Sequence, residues 1–253
     1  METKYIFALG FFDGVHLGHQ ALLAECCRLA EELDAAPGAI TFDNHPKALF
    51  LNPPPVLLST EADRRILLER YGIRQIYTFP VVPEVMGQHW ERFAEKLLEL
   101  GAVGFVCGDD FRFGYRGLGN AESLQAYCRE RNLPCVVVPE QTLNGNRISS
   151  TLIRQRMEAG DLEAANEYLG HPYLLTAVAD CKAGETGHLA LPTGVALPKP
   201  GTYDCRVSLN GCTYPAVAQL TDSGASIRIE ALEEDLCCRS VVLEFHSPMK
   251  EER

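Results

Sequence analysis

Residues 5–9 form a short apolar run, and Gly10-Phe11-Phe12-Asp13-Gly14 interrupts it just before a helical pattern takes over. A strand, a glycine-rich turn and a helix in immediate succession set the chain on an α/β course. The first backbone N–H groups of such a helix are unpaired and its dipole is positive there, so the turn is receptive to phosphate. His16 and His19 fall at this point, three residues apart. At that spacing two imidazoles share one helix face and can reach the same anion. Gly18 between them lacks a Cβ and lets backbone come close to a ligand. The plainer alternative is that both histidines only decorate a turn.

The same alternation continues to about Gly170. Helical periodicity covers 20–33, 60–71, 90–100 and 123–130, and strands are expected over 39–42, 73–79, 103–107 and 135–138. Such alternation predicts a Rossmann-like parallel sheet covered on both faces, with ligands beyond the carboxyl ends of its strands. Two short helices, 150–159 and 162–169, end at Gly170 with Pro172 beyond. From Tyr173 the chain turns rich in β-branched residues, Gly and Pro, with short strands at Val178, 203–209, 213–220, 226–231 and 240–245. The expected architecture is an α/β domain over 1–172 followed by a small antiparallel, barrel-like β domain over 173–253.

Lys and Arg number 23 against 34 Asp and Glu, a formal charge of −11. A surface of that sign repels nucleic acid and anionic membranes, so an anionic substrate needs a local cluster of donors. The first residues show neither a basic leader nor a long apolar stretch, and no run is long enough to span a bilayer. A cytoplasmic location is expected. Ten cysteines are present, without a Cys-x-x-Cys spacing. They fit small buried hydrophobes in a reducing compartment better than a disulfide framework, a zinc ribbon or a catalytic thiol.

Two further motifs carry polar groups suited to a nucleotide. Cys107 to Asn120 follows a strand and holds glycines at 108, 114, 117 and 119, the acids Asp109 and Asp110, and the arginines Arg112 and Arg116. It is either a ligand-wrapping loop or a surface loop of solvated charges, and the phenylalanines flanking Arg112 call for a partner surface. In 147–154 (Arg-Ile-Ser-Ser-Thr-Leu-Ile-Arg), Ser149 or Ser150 caps a helix. Capping explains the hydroxyls. It does not explain Arg154, a cation near the positive end of the dipole that costs about 0.3–1 kcal/mol unless a polyphosphate reverses the sign. Neither a Walker A loop nor a Gly-x-Gly-x-x-Gly fingerprint is present.

Taken together, these stretches carry a family resemblance. His16-Leu-Gly-His19 is the His-x-Gly-His pattern of nucleotidylyltransferases. The runs 10–20, 41–46 (Thr-Phe-Asp-Asn-His-Pro), 108–114 (Gly-Asp-Asp-Phe-Arg-Phe-Gly), 148–154 and 169–173 occur in one order. The chain resembles the bacterial bifunctional riboflavin kinase/FAD synthetases over nearly all of 5–173. That resemblance implies a domain that adenylates FMN with ATP and Mg²⁺, releasing pyrophosphate and FAD. It implies His16, His19, Asp110 and Arg154 as catalytic residues. Gly10, Phe11, Asp13, Gly14, Gly18, Gly108, Phe111, Ser150 and Thr151 fall on the ATP motifs, and His45 and Phe50 on the flavin side. No metal ligand is singled out. Asn44 stands where family members usually carry Pro.

The second half resembles the family less. Riboflavin kinase modules have a glycine-arginine stretch ending in Gly-Phe-Pro-Thr-Ala-Asn; here 187–195 keeps Thr193 but lacks the Arg and the Ala-Asn pair. Pro200-Gly-Thr-Tyr203 resembles the family's Pro-x-Gly-Val-Tyr, and Glu230 falls where the family places its base. The chain stops before the family's final helical segment. A phosphate-and-metal loop without its Asn lacks a ligand. The expectation is an FMN adenylyltransferase whose riboflavin kinase module has lost activity, with ATP and FMN as partners, riboflavin a further candidate, and no nucleic acid or membrane. Alternatives are a bifunctional enzyme that retains kinase activity, a non-catalytic flavin- or nucleotide-binding module, or a nucleotidylyltransferase for another acceptor. The Phe-Asp-x-His-Pro and 108–114 motifs argue against the last.

Overall fold

In β1 (Tyr5–Leu9) every residue after Tyr5 is buried, as in a strand covered on both faces. The computed structural model describes residues 3–249, which divide into two compact units: 3–55 with 65–148, and 56–64 with 149–249.

In the first unit the chain runs β1, α1 (Leu17–Glu32), β2 (Ala36–Phe42), α2 (Glu61–Arg70), β3 (Gln75–Phe79), α3 (Pro83–Met86), α4 (Trp90–Glu99), β4 (Ala102–Gly108), β5 (Arg112–Phe113), β6 (Gly119–Asn120), α5 (Ala121–Glu130), β7 (Cys135–Val138), β8 (Thr142–Leu143) and β9 (Asn146–Arg147). The first turn of α2 belongs to the second unit. Five strands form one parallel sheet in the order β3-β2-β1-β4-β7, the Rossmann-like arrangement expected. β1 is central, so the turn after it opens at the carboxyl edge of the sheet, where α/β folds bind ligands. Leu22, Leu23, Cys26, Leu29 and Ala30 give α1 one buried stripe at helical spacing. A second core joins Phe7, Phe93, Phe105, Phe113, Leu124 and Tyr127.

The second unit contains α6 (Ser150–Ala159), α7 (Leu162–Leu169) and six strands: β10 (Tyr173–Cys181), β11 (Thr186–Ala190), β12 (Gly201–Leu209), β13 (Cys212–Thr221), β14 (Gly224–Ile229) and β15 (Leu236–Pro248). These close into an antiparallel barrel in the order β10-β11-β14-β13-β12-β15. Inward residues alternate along the strands, including Cys205 and Val207 on β12, Ala216 and Ala218 on β13, and Leu243 and Phe245 on β15. A closed sheet leaves no edge to be covered. Strand β11 falls in a stretch for which the sequence suggested no strand. A Cβ on Gly187 would lie 2.2 Å from the Asp180 carbonyl oxygen, so the glycine is there to let β11 pack on β10.

Several boundaries differ from expectation. α1 begins at Leu17 rather than Gln20, because His16 itself caps it. α5 begins at Ala121, two residues early, since Asn120 and Ser123 form a reciprocal capping box. All ten cysteines are free thiols. Burial pushes Cys26 and Cys205 up to about 12, which makes them inert, but Cys212, Cys237 and Cys238 are exposed rather than buried.

Within the second unit, Asp63 is fully buried and its carboxylate accepts from the Thr60 N–H, the Thr60 hydroxyl and the Thr176 N–H at 2.6–2.8 Å. Asp63→Ala strands those donors and is expected to cost about 3 kcal/mol. Urea unfolding at pH 7 checks this; a loss under about 1 kcal/mol would show that water replaces the carboxylate.

Candidate active site

The turn from β1 to α1 adopts a conformation that side chains resist. Phe12, Gly14 and Val15 all have positive φ (59°, 74° and 40°), the last on a β-branched residue. Such geometry costs on the order of 1–3 kcal/mol per residue and persists where surrounding packing enforces it. Here the enforcing group is the Phe12 ring, fully buried beneath the turn and edge-on to His19. Asp13 and Gly14 are buried within it. The Thr41 hydroxyl donates to the Phe11 carbonyl at 3.0 Å and ties the turn to the end of β2.

His16 ends the turn in extended backbone and His19 lies in the first turn of α1. Their rings stack with centroids 3.7 Å apart and planes 15° from parallel. The His16 Nδ1 accepts from the His19 N–H at 3.4 Å, which puts that ring's proton on Nε2. A Cβ on Gly18 would stand 3.2 Å from the His16 ring, so any side chain there presses on the imidazole. The Nδ1 of His19 is shut off from solvent without a partner. Burial, and then the neighbouring His16, hold the His19 pKa well below 6.5. His19 is therefore harder to protonate than a free imidazole.

The other expected residues of this unit lie in the same turn and on the segments that follow β2 and β4. Asp110 follows β4, its carboxylate exposed. Gly108 leaves room for it, since a Cβ there would meet Asp110 Oδ1 at 3.2 Å. Phe111 stacks on Phe113 at 5.1 Å, and Phe113 is core; the partner surface for these rings is the domain's own interior. Gly10 faces the Phe12 ring. His45 lies edge-on to Phe11 at 5.1 Å and caps a short turn by accepting from the Lys47 N–H. Phe50, at the end of that turn, is 80 % exposed.

Arg147 is a residue that the motif contained but for which no role was assigned. It lies on the β8–β9 hairpin, where Ile148 N donates to Gln141 O at 3.0 Å. The Gln141 Cβ lies 4.0 Å from a Cβ built on Gly18, so the base of the hairpin abuts the histidine motif. Its Nη2 contacts Asp110 Oδ2 at 2.5 Å and Glu140 Oε1 at 2.7 Å. The signal in the sequence was Arg147 itself, directly ahead of the hydroxyl cluster.

Ser150, Thr151 and Arg154 belong to the second unit, on α6. Ser149 is the cap, accepting from Leu152 N at 3.2 Å, which leaves Ser150 and Thr151 as the first helical residues. Arg154 reaches back to the Thr151 hydroxyl at 3.3 Å, placing a cation beside the helix N-terminus.

A family model described as FAD synthetase matches residues 1–152. The chain belongs to the FAD synthetase family. A bifunctional riboflavin kinase/FMN adenylyltransferase of Listeria monocytogenes is 30% identical over 97% of this chain and 80% of its own length. A protein of the same organism named FAD synthetase is 28% identical over 78% of this chain and 79% of its own. Among solved structures, one titled macrolide-efflux protein, from Streptococcus pneumoniae, superposes with a TM-score of 0.81 at 23% identity, covering 100% of this chain and 88% of that one. That likeness concerns the fold alone. Among the described residues no helix is long and apolar enough to cross a membrane.

The burial of His19 has a measurable consequence. Its unfolded imidazole takes up a proton near pH 6.5 and the folded one only at lower pH. Stability present above that value therefore falls as pH drops below it, by up to about 1.4 kcal/mol per unit, and His19→Gln flattens the slope. Urea midpoints between about pH 5 and 7 check the slope. An NMR titration of the imidazole checks its cause; pyrophosphate should move the pKa upward, and a free-protein value at or above 6.5 would refute the assignment.

Proposed function

We propose that the chain is an FMN adenylyltransferase, joining FMN to the AMP moiety of ATP to give FAD and pyrophosphate. The stacked histidine pair at the N-terminus of α1 is the observation that carries this reading, together with family membership. We assign the activity to 1–172.

An FMN phosphate oxygen attacks the α-phosphorus of ATP in line. The bond to the bridging oxygen breaks and pyrophosphate leaves with the electron pair. The nucleophile is already ionised, so no general base is needed, and positioning with charge stabilisation does the work. The His16 Nε2–H donates to a non-bridging oxygen of the α-phosphate. His19, stacked on His16, is assigned to the same developing charge. Gly10, Phe11, Asp13 and Gly14 form the turn that cradles the nucleotide, and Gly18 keeps the His16 ring in place. Gly108 and Phe111 shape the nucleoside side, where Asp110 orients polar groups. Ser150, Thr151 and Arg154 are assigned to the departing phosphates. His45 and the exposed ring of Phe50 are assigned to the flavin, whose flat tricycle suits an aromatic partner.

Among the described residues no three His, Cys, Asp or Glu side chains form a ready-made cation cage. The exposed Asp110 carboxylate fits instead a magnesium ion that arrives on the ATP phosphates and uses one or two protein ligands. Held there, such an ion would neutralise charge on the leaving group. For 173–253 we propose a barrel that no longer phosphorylates riboflavin. Thr193 lies in an exposed bend, and the packing of Gly187 against β10 accounts for it without a phosphate role. Small molecules are the partners in this reading, and free thiols throughout support a cytoplasmic location.

A product assay with ATP and Mg²⁺, run on FMN and on riboflavin in parallel, tests this. FAD from FMN and nothing from riboflavin is expected; a flavin product from riboflavin overturns the silent barrel, and no product from FMN overturns the activity. His16→Ala or Arg154→Ala should lower kcat/KM by about two orders of magnitude, as loss of an oxyanion donor does. Near-normal turnover in either variant would remove that residue's role. Gly18→Ala should lose at least about tenfold while leaving stability level or up to ~1 kcal/mol higher, because Ala favours helix but crowds the ring.

A further inference from the structure

The guanidinium of Arg147 is held by one nitrogen. Its Nη2 contacts Asp110 Oδ2 at 2.5 Å and Glu140 Oε1 at 2.7 Å, while Nε and Nη1 have no partner among the described residues. Glu140 is itself braced: its N–H donates to Asp109 Oδ2 at 3.2 Å, and Asp109 N donates to Val138 O at 3.2 Å. The carboxylate therefore extends from backbone tied to the loop that follows β4.

The arrangement does little for the fold. All three side chains are 40–66 % exposed, and ion pairs that open to water contribute little to stability. Nor does it attract an anion by its field, since two carboxylates and one guanidinium sum to −1. What it supplies is direction. An arginine side chain has many rotamers, and fixing one edge of its planar fork leaves the other donors aimed before a ligand arrives.

We propose that Glu140 is a positioning residue: with Asp110 it fixes the Nη2 edge of Arg147 so that Nε and Nη1 are presented to the polyphosphate of ATP. This rests on the adenylyltransferase reading, although its test can be separated from it.

The test is a double-mutant cycle on ATP affinity, measured by calorimetry with Mg²⁺ on the full chain, alongside FAD formation and thermal melting. Glu140→Ala should weaken ATP binding about tenfold, the scale of losing an orienting partner, and leave melting nearly unchanged. Glu140→Gln, which still accepts a hydrogen bond, should recover part of the loss. In an Arg147→Ala background Glu140→Ala should have no further effect, because Glu140 acts through Arg147. The same loss in both backgrounds, or tighter ATP binding in Glu140→Ala, overturns the proposal. If Arg147→Ala fails to fold, Arg147→Lys serves, since a lysine cannot present the fork. FAD formation with an additive cycle sinks the positioning role alone; a coupled cycle without FAD sinks the activity alone. Absence of ATP binding by the wild type sinks both.

Discussion

The burial of one phenylalanine ring holds the site together. Phe12 has left-handed backbone and a fully buried side chain, a combination that its hydrophobic gain makes tolerable. The ring fills the space under Gly10 and meets His19 edge-on. With Phe12 pinned inward, the chain has few ways to rise out of β1, and Asp13 to Val15 turn tightly so that His16 caps α1. Strain in the turn and alignment of the two imidazoles thus have a common origin in core packing.

The lowered proton affinity of His19 follows from the same packing. A ring whose Nδ1 is walled off, with a second imidazole stacked on it, resists protonation. In an enzyme that must release pyrophosphate, a permanently charged pair would hold that polyanion too well.

Much of this was legible in the amino-acid sequence where local rules decide the outcome. α6, α7 and β7 fall on the residues that capping and periodicity indicate. The Rossmann-like sheet followed from alternation, and the barrel from hairpin-spaced strands. What the sequence withheld depended on partners distant in the chain. Strand β11 carries Gly187 and His188 and has little strand character of its own; it forms because β10 and β14 flank it. The role of His16 as a cap came from its extended backbone rather than its residue type, since Ser, Thr, Asp and Asn are the usual caps. Glu140 gave no signal because its significance lies in an arginine seven residues later across a two-residue hairpin.

The closed barrel has an implication for how the chain is made. Its ring is completed by β15 against β10, joining residues 236–248 to 173–181. Until the later strand leaves the ribosome, β10 waits with one flank unpaired, through the synthesis of every strand between them. Exposed strand flanks invite pairing with other chains. The barrel thus trades an edgeless final state for an interval of vulnerability during synthesis, and the sequence between its first and last strands sets how long that interval lasts.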